Sequence, residues 1–179
     1  MKENFKVRQI NPAWAKEAEE AAIKSRDFHR EKGTKGHWYD PNKGEYNGEI
    51  YGNLGQIAFR EFLKENYTDM DLDFAPLFTN NIKSLPDYDA RIGKTRVEIK
   101  CIPPDDRIVR KRLLIKKSEF KKLDCYVAVK FWSKTEYSFC GYAKGNEVAE
   151  APLHNFGFAP AHWFFLDALP HKLKLCPTG

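Results

Sequence analysis

The chain has 179 residues, 42% of them hydrophobic and 14% aromatic, which is enough apolar surface for a core and unlike a disordered segment. Thirty lysines and arginines against 25 acidic residues leave a formal charge of +5, an excess that permits a polyanionic partner without demanding one. No run of about 18 apolar residues could span a bilayer and no N-terminal stretch resembles a signal peptide, so a soluble cytoplasmic protein of one domain, residues 1–179, is expected.

The four cysteines, Cys101, Cys125, Cys140 and Cys176, form no C-x-x-C pair and stand at no zinc-finger spacing from a histidine pair. Cys101 and Cys125 lie in apolar strand-like runs, where free buried thiols are the natural reading. That suits a reducing compartment.

In chain order, "NPAWAKEAEEAAIKSRDFHREKG" predicts a helix. Asn11 is its N-cap, Pro12 fits the first helical position and Gly33 marks the stop. Trp14, Ala18, Ala21, Ala22 and Phe28 make only a thin apolar stripe, so this helix is placed at the edge of the domain. Residues 33–48, "GTKGHWYDPNKGEYNG", read as a long loop that completes an N-terminal arm over 1–48; His37 within it is a lone histidine. A second helix spans about 50–65, where Leu54, Ile57, Ala58, Phe62 and Leu63 recur at helical spacing.

Strands follow. "DLDFAPL" reads as a short one, and "PDYDARI" and "TRVEIKC" as the arms of a hairpin. Gly93-Lys94 between them predicts a two-residue type II′ turn, with glycine at the first central position. The register then sets Ile92 against Thr95, Arg91 against Arg96 and Ala90 against Val97. Extended further, it sets Asp89 against Glu98 and Asp87 against Lys100. Alternation gathers Asp87, Asp89, Glu98 and Lys100 on one face. Two carboxylates about 5 Å apart at an effective dielectric near 20 repel by roughly 3 kcal/mol. Full exposure, a shared proton or a bound cation would each relieve that, and an Asp87–Lys100 ion pair is equally natural. Asp89, Glu98 and the backbone carbonyl of Ile99 would suit a hard cation such as Mg²⁺, with Mn²⁺ able to substitute.

Pro103-Pro104 turns the chain out of the sheet. The run "RIVRKRLLIKKSEFKK" at 107–122 holds eight Lys or Arg and one Glu, and is expected to be a strand edge running into a helical turn. A solvated face is the plain reading. A phosphate-binding patch of Arg107, Arg110, Lys111, Arg112, Lys116 and Lys117 is the functional one. "DCYVAVKFW" and "EYSFCGYA" are strong strands, and "GNEVAEAP" is a short helix or turn. Trp163–Leu166 in "HNFGFAPAHWFFLDAL" is a further strand, read as core or dimer surface; its aromatics could also contact bases. His154 and His162 have no carboxylate or cysteine at metal-ligand spacing. The order, two helices and then mainly strands, indicates an α+β or α/β fold around a central mixed sheet.

Pro86-Asp87, Asp89 and Glu98-Ile99-Lys100 resemble the signature of the PD-(D/E)xK nuclease superfamily, which includes restriction endonucleases, Holliday-junction resolvases and phage exonucleases. The resemblance covers residues 49–143, with 144–179 a C-terminal extension. It implies a restriction-endonuclease-like αβββαβ core with a mixed sheet flanked by helices, preceded here by the N-terminal helix. It also implies Mg²⁺-dependent phosphodiester hydrolysis, most naturally by a DNA endonuclease, with RNA as the other substrate; a homodimer would let two sites cut both strands. Glu98 and Lys100 carry over directly. For the first acid, the literal "PD" points to Asp87 and the cross-strand geometry to Asp89, which is preferred. The family's G-x-x-G-E segment matches "GNLGQ", which puts Gln56 where a glutamate is usual. Glu49 or Glu61 would have to replace that charge. The alternative is a nucleic-acid-binding module that has kept the fold and lost cleavage.

Overall fold

The computed structural model describes residues 4–33, 48–81, 85–104, 112–120, 123–155 and 160–170. A two-residue strand, β1 (Arg8–Gln9), precedes helix α1 (Pro12–Glu31). The Asn11 side chain accepts the N–H of Ala13 at 2.9 Å, Pro12 opens the first turn, and Gly33 follows at φ 63°, so both ends of α1 are set by local chemistry. Helix α2 (Gly48–Asn66) buries Ile50, Leu54, Ile57, Ala58, Phe59 and Leu63 along one side.

α1 packs on α2 through polar contacts as well as its small stripe. Asn53 Nδ2 donates to Ala18 O at 3.1 Å, and Arg60 grips both carboxylate oxygens of Glu17 at 2.9 Å. The paired carboxylate raises the Arg60 pKa above the usual guanidinium range.

The strands are β2 (Leu72–Phe74), β3 (Ala90–Ile92), β4 (Thr95–Ile102), β5 (Arg112–Lys116), β6 (Cys125–Phe131), β7 (Glu136–Lys144), β8 (Leu153–Asn155) and β9 (Pro160–Phe165), with helix α3 (Gly145–Glu150) after β7. Six form one mixed sheet in the order β1-β7-β6-β4-β3-β2, in which only β4 and β6 run parallel. The β3–β4 register is the expected one: Ile92 faces Thr95, Arg91 faces Arg96 and Ala90 faces Val97. Gly93 has φ 57° and no non-glycine residue among the described residues, Lys94 included, has positive φ, which is the pattern of a type II′ turn.

The helices α1 and α2 cover one face of this sheet. There Ile50, Leu54, Ile57 and Phe59 meet Val97, Ile99, Val127, Val129 and Phe131. At Gly55 the helix comes so close to β4 that an added Cβ would lie 2.1 Å from Cys101 Sγ. Among the described residues no long helix covers the other face, unlike the αβββαβ order that the resemblance implied. Between β4 and β6 the described residues form β5 and a 3-10 turn (Lys117–Glu119). β5 joins β9 and β8 in a second, antiparallel sheet. The reason is period-2 patterning: Leu113 and Ile115 point inward against Ile102, Tyr126 and Ala128, so Arg112, Leu114 and Lys116 point outward. The protein is an α+β fold of three layers: helices, mixed sheet, small sheet.

No helix among the described residues is long and apolar enough to cross a membrane. Cys101, Cys125 and Cys140 are free thiols, and burial pushes Cys140 up to about 12. His37 and Cys176 lie outside the described residues.

Candidate functional site

Strand β4 is central, yet β3 pairs with it only as far as Ala90. At Asp89 the ladder changes. Its N–H donates to Val97 O at 2.9 Å, so Val97 answers both Ala90 and Asp89, the two-against-one count of a β-bulge. Asp89 is therefore not set opposite Glu98 as the extended register predicted. Its side chain takes over where the ladder stops. Oδ2 accepts the N–H of Ile99 at 2.7 Å, and Oδ1 accepts Nε2 of Gln56 from α2 at 3.0 Å.

Strand geometry sends the N–H and C=O of one residue to the same edge. The Ile99 carbonyl thus points to the edge where Asp89 sits, away from β6. Glu98 and Lys100 flank Ile99 on the other sheet face, beside Tyr126 and Ala128 in register. Glu98 is only 8% exposed, and Lys100 Nζ lies 3.0 Å from its Oε1. Asp89 thus reaches the Ile99 peptide from the β3 edge with Gln56 behind it on the helix side, whereas Glu98 and Lys100 lie on the opposite sheet face, not on one face with Asp89 as strand alternation predicted.

Gln56 Oε1 is buried without a hydrogen-bond partner among the described residues, and an orphaned buried acceptor calls for a donor or a cation. Cys101, next to Lys100, is no nucleophile. Burial, and after it the negative charge of Asp89, pushes its thiol far above the usual range.

Other candidates fall elsewhere. Asp87 is exposed and pairs with Arg96 at 3.1 Å rather than with Lys100, and Arg96 also reaches Asp124. Asp87 is thereby drawn toward the turn and away from Ile99. Glu49 is on the first turn of α2, two turns before Gln56, or about 10 Å along the axis. Glu61 is held by Arg60 and Lys64. Neither glutamate replaces a charge at Gln56. Arg112, Lys116 and Lys117 lie on β5 and the turn after it, while Arg107, Arg110 and Lys111 are outside the described residues. His162 lies tilted against Phe120, ring centroids 5.7 Å apart at 56°, and its Nδ1 meets Ala151 O at 3.0 Å.

A cleft of about 370 Å³ leads to Gln56 and Asp89, walled by Phe28, His29, Phe78 and Tyr88. The sequence reading missed the contribution of α1 to it; the signal was the i, i+4 spacing of Ser25 and His29 with Phe28 between them. It also missed Lys130, 3% exposed on β6, whose Nζ donates to Pro103 O at 2.6 Å. Among the described residues no three His, Cys, Asp or Glu side chains gather into a metal cluster. No family model, curated protein or solved structure matches this chain.

Proposed function

We propose that this protein is a restriction-endonuclease-like, Mg²⁺-dependent nuclease acting on DNA, with Asp89, Glu98, Lys100 and Gln56 as its site. The observation that carries the reading is the Asp89 carboxylate on the Ile99 N–H where the β3–β4 ladder stops, with the paired Glu98 and Lys100 on either side of Ile99 in the chain. The donors that would meet one hard cation at this edge are the Asp89 carboxylate, the edge-directed Ile99 carbonyl and the orphaned Gln56 Oε1, with Glu98 reaching toward it from the other face. They offer no charge for a second. The chemistry Mg²⁺ would supply is Lewis-acid polarisation of a phosphate and acidification of a water.

The chain's own residues do the rest. Asp89 is fixed by two donors, Gln56 Nε2 and Ile99 N–H, so its carboxylate needs no reorganisation. Lys100 is held by Glu98 and is aimed, by this reading, at charge growing on phosphate oxygens. Gln56 is neutral, so it orients rather than charges the site. The cleft beside Asp89 admits the substrate backbone.

The test is cleavage of supercoiled plasmid with Mg²⁺, Mn²⁺ or EDTA, using wild type, Asp89→Asn, Glu98→Gln and Lys100→Ala. Nicking that needs the metal and is lost in all three variants supports the reading. Metal-independent nicking, or nicking unchanged in Glu98→Gln, overturns it. One observation favours a second reading, a binding module that no longer cuts: Glu98 is already neutralised by Lys100. Salt-sensitive DNA binding without nicking in any metal would select it.

A further inference from the structure

The outer face of the small sheet has a composition that core packing does not explain. Trp163 and Phe165 stand side by side on β9, ring centroids 4.9 Å apart at 85°. Across the ladder Arg112 pairs with Phe165 and Leu114 with Trp163. The Arg112 guanidinium lies 5.6 Å from the Trp163 ring centre and 5.4 Å from that of Phe165. Lys116 ends the same row of β5. The inward row, Leu113 and Ile115, is fully buried, whereas Phe165 is 47% exposed. The face is thus an aromatic pair bracketed by cations, and none of the outward residues of β5 and β9 is acidic.

We infer that this face is a stacking platform for single-stranded nucleic acid, with bases laid against Trp163 and Phe165 and the backbone phosphates met by Arg112 and Lys116. The chemistry argues for that occupant. Aromatic rings beside cations, with no acidic residue in the outward rows of β5 and β9, match a chain of bases on a polyanionic backbone and are sequence-tolerant. The platform lies on the outer side of the small sheet, whose inner side packs on Ile102, Tyr126 and Ala128, about 10 Å from the central sheet by ordinary sheet spacing. It therefore grips strand outside the cutting site. The inference deepens the nuclease reading and rests on it for the ligand class, while its test needs no cleavage.

The experiment is fluorescence anisotropy with labelled oligothymidylate of about 16 nucleotides and a duplex of equal length, in EDTA at low salt. It uses wild type, Trp163→Ala, Trp163→Phe and Phe165→Ser. Expected are preference for the single strand, binding roughly tenfold weaker in Trp163→Ala and Phe165→Ser, and recovery in Trp163→Phe. Phe165→Ser guards against misfolding at Trp163, because Phe165 is half exposed, and thermal melts check both. Oligothymidylate binding unchanged in Phe165→Ser and Trp163→Ala overturns the platform, whether or not wild type nicks plasmid. So does concentration-dependent self-association, or vesicle binding, that these substitutions abolish while oligonucleotide binding persists. If wild type fails to nick plasmid but the binding results hold, the cutting reading falls and the platform stands.

Discussion

Gly55→Ala is the sharpest probe of how α2 is seated. A methyl group there would lie 2.1 Å from Cys101 Sγ, against about 3.5–4.0 Å for ordinary contact. Helix and strand must part by about 1.5 Å, or the thiol must swing away from Gly52 O, which it approaches at 3.9 Å. Overpacking of this kind costs about 1–3 kcal/mol, and the better helix propensity of alanine returns up to about 1 kcal/mol. A net loss of about 1–2 kcal/mol is expected, a fall of roughly 0.5–1 M in the urea midpoint. Removing the sulfur removes the clash: with Cys101→Ala the nearest neighbours of the new methyl are Ile99 Cγ2 at 3.5 Å and the residue-101 Cβ at 3.8 Å. The double variant should recover most of the loss, with a coupling energy above ~1 kcal/mol where independent sites add to within ~0.5 kcal/mol. Nicking activity should follow the same cycle, because Gln56 is the next residue and α2 carries it to Asp89. Equilibrium urea unfolding of the four proteins decides it. A Gly55→Ala midpoint equal to wild type, or single effects that simply add, refutes the close approach.

Other consequences can be measured directly. Gln56→Glu sets a third carboxylate against Asp89; the thermal midpoint should fall in EDTA and recover with millimolar Mg²⁺, by more than wild type gains, and an equal response in both proteins argues against an ion at this edge. Arg60→Ala removes the bidentate grip on Glu17 that ties α1 to α2; a loss of about 1 kcal/mol is expected by urea unfolding, with Arg60→Lys recovering only part of it. Cys140 has its pKa raised by burial from 9 to about 12, so folded and unfolded thiols are both protonated below about pH 9. Above that the unfolded thiol ionises first, and stability should drop as pH climbs from 9 toward 12, by about 1.4 kcal/mol per unit at most. Cys140→Ala should flatten that slope, and a native thiol that reacts rapidly with a disulfide reagent at pH 8 would contradict the burial.

Much of this was legible because local chemistry governed it. Asn11, Pro12 and Gly33 mark the ends of α1 without help from the rest of the chain, and Gly93-Lys94 sets the hairpin register. The all-buried run of β6 shows in "CYVAVKF". What was not legible depends on distant partners. Two-residue β1 exists only because β7 offers it an edge. The small sheet requires β5 to meet β9, some 45–50 residues later in the chain, and no local signal in "RLLIK" names that partner. The expected strand edge running into a helical turn is found there, in place of the helix the αβββαβ resemblance implied: Leu113 and Ile115 alternate, and alternation favours a strand once a second edge is present to receive it.

The site shows the same division more sharply. Extending the hairpin register one residue past Ala90 sets Asp89 against Glu98, and the mutual repulsion of those carboxylates is what would call for a cation. The structure resolves that tension differently: the backbone bulges at Asp89, the carboxylate turns to Ile99 N–H and Gln56, and Glu98 takes Lys100. Yet the bulge is what makes the edge useful. Had β3 continued in register, its backbone would have occupied the Ile99 N–H and C=O and closed β4. Because one side chain oxygen replaces a strand there, the N–H is satisfied while the carbonyl is left facing the same edge as a carboxylate. An oxygen-rich opening in the middle of a buried sheet therefore follows from ending a ladder with an aspartate, and the argument for a cation passes from relief of repulsion to supply of ligands.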